Sequence, residues 1–162
     1  MQPIAAIILF ISLGYAIPEI SKVRNDYREA SGSEEVTKKL FDELSSVTKN
    51  DKAVLIAYKG AVMTMMAQYA EGVKAKKTFF KDGRELLEYA VATEPENVEV
   101  RCIRLSVKEN APKITGYKKN LDEDKDYILK NYEGMTDQGA KTFIKGFVSQ
   151  SAVFTDAEKQ LF

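Results

Sequence analysis

The 162 residues contain no histidine. That excludes Ser-His-Asp and Cys-His catalysis, imidazole acid–base chemistry and every His-ligated metal site. A single cysteine, Cys102, excludes an internal disulfide and any cysteine cluster. Its neighbours Val100 and Ile103 make it a small buried hydrophobe rather than a reactive thiol. Neither charge sign is in excess, because Lys plus Arg and Asp plus Glu are 24 each. A nucleic-acid surface usually shows as a basic surplus, so none is expected here. Gly-rich phosphate loops and nucleophile motifs are also missing. No segment alternates strictly enough to be a strand. What remains is an all-α chain, read as a non-enzyme, with no catalytic residue, cofactor or metal to assign.

Pro3 to Ile17 carries no charge and ends in Leu13-Gly14-Tyr15-Ala16. It is short for a bilayer span and places small residues where a signal peptidase needs them. Residues 1–16 are therefore expected to be a secretory signal peptide cleaved after Ala16, although no Lys or Arg follows Met1. Without a cysteine near the cleavage point the chain is not a lipoprotein. The mature chain is expected in the periplasm or outside the cell.

The chain is organised around Asp51 to Ala70, DKAVLIAYKGAVMTMMAQYA. This stretch is apolar nearly all round and free of proline. A helix of that length runs about 30 Å, and one apolar on all sides is buried or in a membrane. Lys52, Lys59 and Gln68 argue against a membrane span. The segment thus reads as the central helix of a bundle or array, capped by Asn50 or Asp51, with Gly60, Ala61 and Ala67 allowing close approach. Met63, Met65 and Met66 admit a thioether copper site, but adaptable core filling explains them better.

Further helices flank it, about seven in all, the last of them a short terminal one. Ile20, Val23, Tyr27 and Ala30 make the first, and Ser33 caps a second with the stripe Val36, Leu40, Leu44 and Val47. Gly72 and the run Lys74, Lys76 and Lys77 read as a solvated helix end or loop, or as a contact for an acidic partner. Phe79 and Phe80 open the next helix, and Pro95 stops it. Asn97 caps a helix to about Glu109, with Val100, Ile103 and Val107 on one face. Pro112 and Gly116 place a loop at 110–119. Leu121, Ile128, Leu129 and Tyr132 form another stripe, which Gly134 ends. Thr136 or Asp137 caps the helix of Phe143 and Ile144, and Thr155-Asp156-Ala157-Glu158 is a capping-box signature.

Arg101, Arg104 and Lys108 share a face roughly 110° from that apolar stripe, by the period of 3.6 residues. They are the candidate partner-binding residues, since Arg forks suit carboxylates. Their alternative role is pairing with the acids at 122–126. Asp122, Asp124, Asp126 and Glu133 have the ligand spacing of a calcium loop, but Tyr127 stands where its sharp turn needs glycine. Acid pairs such as Glu34/Glu35 and Glu94/Glu96 have the makings of a glycosidase dyad and read as solvated surface.

Gly83-x3-Leu87-x2-Ala90-x4-Pro95 has the small, large, small, proline spacing of the second helix and turn of a tetratricopeptide repeat. The first-helix signature is missing upstream, with no tryptophan and no Leu-Gly pair at the right distance. The helices at 98–109 and 120–133 are candidates for a second, degenerate hairpin. The stretch Leu86 to Ile128, LLEYAVATEPENVEVRCIRLSVKENAPKITGYKKNLDEDKDYI, resembles a family of small secreted bacterial helical proteins. That resemblance implies export and a tetratricopeptide-like fold. It brings no functional residues with it.

Residues 17–162 are accordingly expected to form one tetratricopeptide-like domain that binds another envelope or secreted protein. The alternative from a different class is a small-molecule carrier or minor hydrolase of the cell envelope, with Tyr and Arg side chains lining a pocket.

Overall fold

The computed structural model describes residues 17–162, so the signal-peptide expectation for 1–16 lies outside the described residues. Among the described residues there are eight α-helices and no strand. They are α1 (Ile20–Ala30), α2 (Glu34–Glu43), α3 (Ala53–Tyr69), α4 (Gly72–Thr93), α5 (Val98–Asn110), α6 (Leu121–Asn131), α7 (Gln138–Gln150) and α8 (Asp156–Lys159). A 3-10 turn, Lys113–Thr115, sits in the loop marked by Pro112 and Gly116. No helix among these residues is long and apolar enough to cross a membrane.

Most boundaries have a local cause. Ser33, Asn97 and Asp137 accept from the backbone N–H of Val36, Val100 and Ala140, three residues into their helices. Thr155 and Glu158 form a reciprocal capping box at α8. The start of α3 differs from expectation. Its N-cap is Lys52, without a side-chain bond, and Asp51 instead accepts from the N–H and hydroxyl of Thr48. The acid closes the preceding turn rather than capping the helix. Helix α4 begins at Gly72, so of the two readings of Lys74, Lys76 and Lys77, helix end or loop, the structure has the helix end: they lie in the first two turns of α4, at an N-terminus and not a C-terminus. Gly72, at φ +77°, makes the tight reversal out of α3 that removes the need for a longer connection.

Helix α3 packs against α1, α2, α4 and α5, which is why its sequence is apolar on every side. Its closest neighbour is α4. At their crossing Gly60 faces Gly83: a Cβ on Gly60 would fall 2.6 Å from the Gly83 carbonyl oxygen, and one on Gly83 would fall 2.5 Å from that of Gly60. Only glycine permits two backbones to touch in this way. Around the crossing, Tyr58, Ile56, Val62, Leu87, Ile103 and Leu105 are fully buried. Tyr27, Tyr58 and Phe143 form an aromatic triad with ring centroids 5.1–6.0 Å apart, joining α1, α3 and α7. Cys102 lies in this core with no exposure, and burial holds its thiol well above the ordinary range.

Candidate functional site

Three charged clusters distinguish themselves, two inside the fold and one outside. The first contains the residues singled out from the sequence. Arg101, Arg104 and Lys108 point at the start of α6. Asp124, with no solvent exposure, accepts from Arg104 Nε and Nη2 at 2.8 and 2.6 Å. Arg101 and Lys108 reach the same carboxylate at 3.2 and 3.4 Å. Arg104 also meets Glu88 at 2.9 Å and Glu123 at 2.8 Å, and Tyr117 donates to Glu88 at 2.6 Å. Burial works against the charged form of Glu123, but the Arg104 hydrogen bond together with the charges of Arg104, Lys108 and Arg101 outweighs it and holds that carboxyl below its ordinary value. Arg104 and Lys108 are buried. Arg101 stacks over the Tyr127 ring at 4.2 Å. The pairing with the acids at 122–126 is therefore what the fold contains, and Asp124 is committed to these three cations. An outside carboxylate has no free guanidinium edge of Arg104 to take.

A second cluster ties the first helix to the rest. Arg24 donates from Nε and Nη2 to the two oxygens of Glu99, both at 2.7 Å, and to Asp137 at 2.7 Å. Tyr58 donates to Glu99 at 2.8 Å, and the Tyr27 hydroxyl pairs with Ser106 at 2.9 Å. Burial followed by the Glu99 charge pushes the Tyr58 phenol well above its usual range, and burial takes Tyr27 to about 12. Sequence reading missed this cluster. Arg24 sits on the apolar stripe of α1 beside Val23 and Tyr27, and an arginine at a core position was the available signal. Both clusters hold helices together and leave no described buried side-chain polar atom unpartnered.

The third cluster is the outer half of the α3–α4 hairpin. No residue from Met65 to Asp82 is buried. Yet this half keeps the apolar composition of the inner half: Met63, Met65, Met66 and Tyr69 on α3 and Ala75, Phe79 and Phe80 on α4 are half-buried, and Val73 is 69% exposed. Phe79 and Phe80 diverge, Phe79 meeting Phe41 of α2 and Phe80 meeting Tyr117. On the Phe79 side an open groove of about 460 Å³ is lined by Met63, Lys74, Ala75, Thr78 and Phe79, with Glu71 and Asp82 at its ends along α4. Lys74, Lys77 and Lys81 line up at i, i+3 and i+7 beside it. Lys74, Lys76 and Lys77 have no carboxylate within 4.0 Å among the described residues, and Lys81 has only the solvated Glu85 at 3.6 Å. By contrast the groove of about 370 Å³ between Pro18 and Ser46 has its lysine, Lys22, already paired with Asp26 and Glu43.

No family model, curated protein or solved structure matches the chain. Geometry alone must locate the site, and it favours the hairpin end. The sequence did mark Lys74, Lys76 and Lys77 and the methionines. It separated them, because nothing local announces the close reversal at Gly72 that brings Lys74 beside Met63. The three clusters differ in one physical respect: the two inner ones are closed systems of charge and packing, and the outer one is open in both.

Proposed function

We propose that this is an exported, non-enzymatic, tetratricopeptide-like helical protein that acts by holding another polypeptide. The observation that carries the reading is the outer half of the α3–α4 hairpin. Contiguous uncovered apolar side chains rimmed by polar residues are how binding sites differ from ordinary surface. Methionine, with its unbranched and polarizable side chain, adapts to a partner's shape. Support for a tetratricopeptide-like hairpin comes from α3 and α4 themselves: two antiparallel helices in glycine-to-glycine contact, closed by Pro95. They are 17 and 22 residues long, so any such repeat is an extended one. Export rests on the leader-like composition of residues 1–16.

A photoreactive amino acid at Val73, compared with one at the exposed Lys130, tests the reading in extracts of the source cell. A polypeptide adduct at Val73 that unlabelled protein competes away is expected, with none at Lys130. Equal labelling at both positions, or no adduct at Val73, counts against a binding role for the hairpin end.

A further inference from the structure

We infer that the groove at the end of the α3–α4 hairpin takes an acidic amphipathic helix of a partner protein, an inference that rests on the binding role just proposed and specifies its partner. The first observation is electrostatic. From Gly72 to Lys81 helix α4 carries Lys74, Lys76, Lys77 and Lys81 and no carboxylate. Lys74 lies in the first turn, at the positive end of the helix macrodipole, where acids are stabilising and lysines unfavourable, and Lys76 and Lys77 follow in the second turn. Lys74 and Lys77 at i, i+3, and Lys77 and Lys81 at i, i+4, add like-charge repulsion. No acid in the first turn and no side-chain cap at Glu71 offsets this. Helices α2, α5, α6 and α8 open with acids instead, Glu34 and Glu35, Glu99, Asp122 to Asp124, and Asp156 and Glu158, whereas α1, α3 and α7 have none in their first turn. What sets α4 apart is that Lys74, Lys76 and Lys77 come close together and have no carboxylate within 4.0 Å among the described residues. An anionic partner supplies the missing compensation.

The second observation is shape. Met63, Ala75 and Phe79 give the groove its apolar lining, with Thr78 and Lys74 beside them and the carboxylates of Glu71 and Asp82 at its two ends, so the acids of a docked helix must face the Lys74–Lys77–Lys81 flank and not the ends. Apolar side chains of a partner spaced one helical turn apart fit such a lining, while acids on the flank of the same helix reach the Lys74–Lys77–Lys81 stripe. A membrane surface fits less well. Its insertion needs large apolar side chains projecting outward, and Val73 alone does so here, beside the carboxylate of Glu71.

The full chain, displayed with a library of random 16-residue peptides on yeast, tests this directly against a Lys74→Glu/Lys76→Glu/Lys77→Glu variant. Enriched peptides are expected to carry several acids and apolar residues at i, i+3 and i+4, and the variant is expected to lose that enrichment at least tenfold. Its folding is not in question, because acids at these positions suit the helix start and its melting temperature is expected to rise. Enrichment of neutral or basic peptides, equal enrichment by the variant, or no enrichment overturns the inference. Co-sedimentation with phosphatidylglycerol vesicles in place of peptide selection also overturns it, in favour of a membrane. If the Val73 adduct persists in the triple variant, the acidic partner falls and the binding role survives. If Val73 gives no adduct in the unaltered chain, the binding role falls with it.

Discussion

Two basic stripes lie on helices of the same chain and have opposite fates. Arg101, Arg104 and Lys108 on α5 converge on Asp124, Glu123 and Glu88 and disappear into the fold. Lys74, Lys77 and Lys81 on α4 meet no buried acid and stay in water. The two differ in residue type as well as in place. Arginine, with a planar fork of donors and a weakly hydrated charge, suits the buried network; lysine, compact and strongly hydrated, suits a surface that must be desolvated only when a partner arrives. The comparison teaches that a basic stripe in a sequence is informative only once its acids are located. Here the more conspicuous stripe is structural and the plainer one is open.

The sharpest way to break the comparison is at Asp124. Asp124→Ala leaves Arg104, whose side chain is 6% exposed, without its buried counter-charge, and such losses run to about 3–5 kcal/mol. Urea unfolding should show that loss, and a change below ~1 kcal/mol would mean the α5 stripe is not held as described. Next in size is the helix crossing. Gly83→Ala forces a Cβ to within 2.5 Å of the Gly60 carbonyl oxygen. Overpacking of about 1–3 kcal/mol, offset by about 1 kcal/mol of alanine's better helix propensity, leaves an expected net loss of up to about 2 kcal/mol. Gly32→Ala, which has open space around it, is the control and should be neutral or slightly stabilising. Thermal melts of the two variants side by side measure the difference.

A smaller effect follows from acid. The N–H of Ala140, aided by Arg24, holds the Asp137 carboxyl below its ordinary value. Glu123 is also lowered, burial being outweighed by the Arg104 hydrogen bond and the charges of Arg104, Lys108 and Arg101 together. A carboxyl depressed in the fold contributes stability that is complete above its unfolded pKa, near 4. That stability is lost as pH falls through the lower folded value. Stability should therefore be level above about pH 5 and decline below about pH 4. Asp137→Asn should make the acid limb shallower in a series of urea midpoints against pH. An unchanged limb would remove Asp137 from the account.

Much of the fold was legible because its signals are local. The stripes of Ile20, Val23, Tyr27 and Ala30, of Val36, Leu40, Leu44 and Val47, and of Val100, Ile103 and Val107 are buried as their spacing requires, except that Ile20 and Val36 at the helix starts are only partly covered. The caps at Ser33, Asn97, Asp137 and Thr155 are local too, each bonding within three residues of itself. What escaped depends on distance. Asp51 had two uses available, a cap or a turn closure, and its neighbour Thr48 decided between them. Arg24 meets Glu99, 75 residues away, and nothing near Arg24 announces that carboxylate. Gly72 looked like an ordinary breaker, yet its positive φ reverses the chain so sharply that α4 starts at once and carries the lysines up beside the methionines. The candidate site was visible in pieces, as a lysine run and a methionine run. Its existence as one surface is a property of the hairpin.

The measurement that tests the central claim most directly is the stability of the Lys74→Glu/Lys76→Glu/Lys77→Glu variant by equilibrium urea unfolding at low salt. If these lysines serve a partner and not the fold, reversing them should raise stability by about 0.3–1 kcal/mol or more through the macrodipole and relieved repulsion, with an unchanged denaturant slope. A loss of more than about 1 kcal/mol, well outside the ±0.5 kcal/mol usual for surface substitutions, would show that the lysines hold the structure together and would contradict the account.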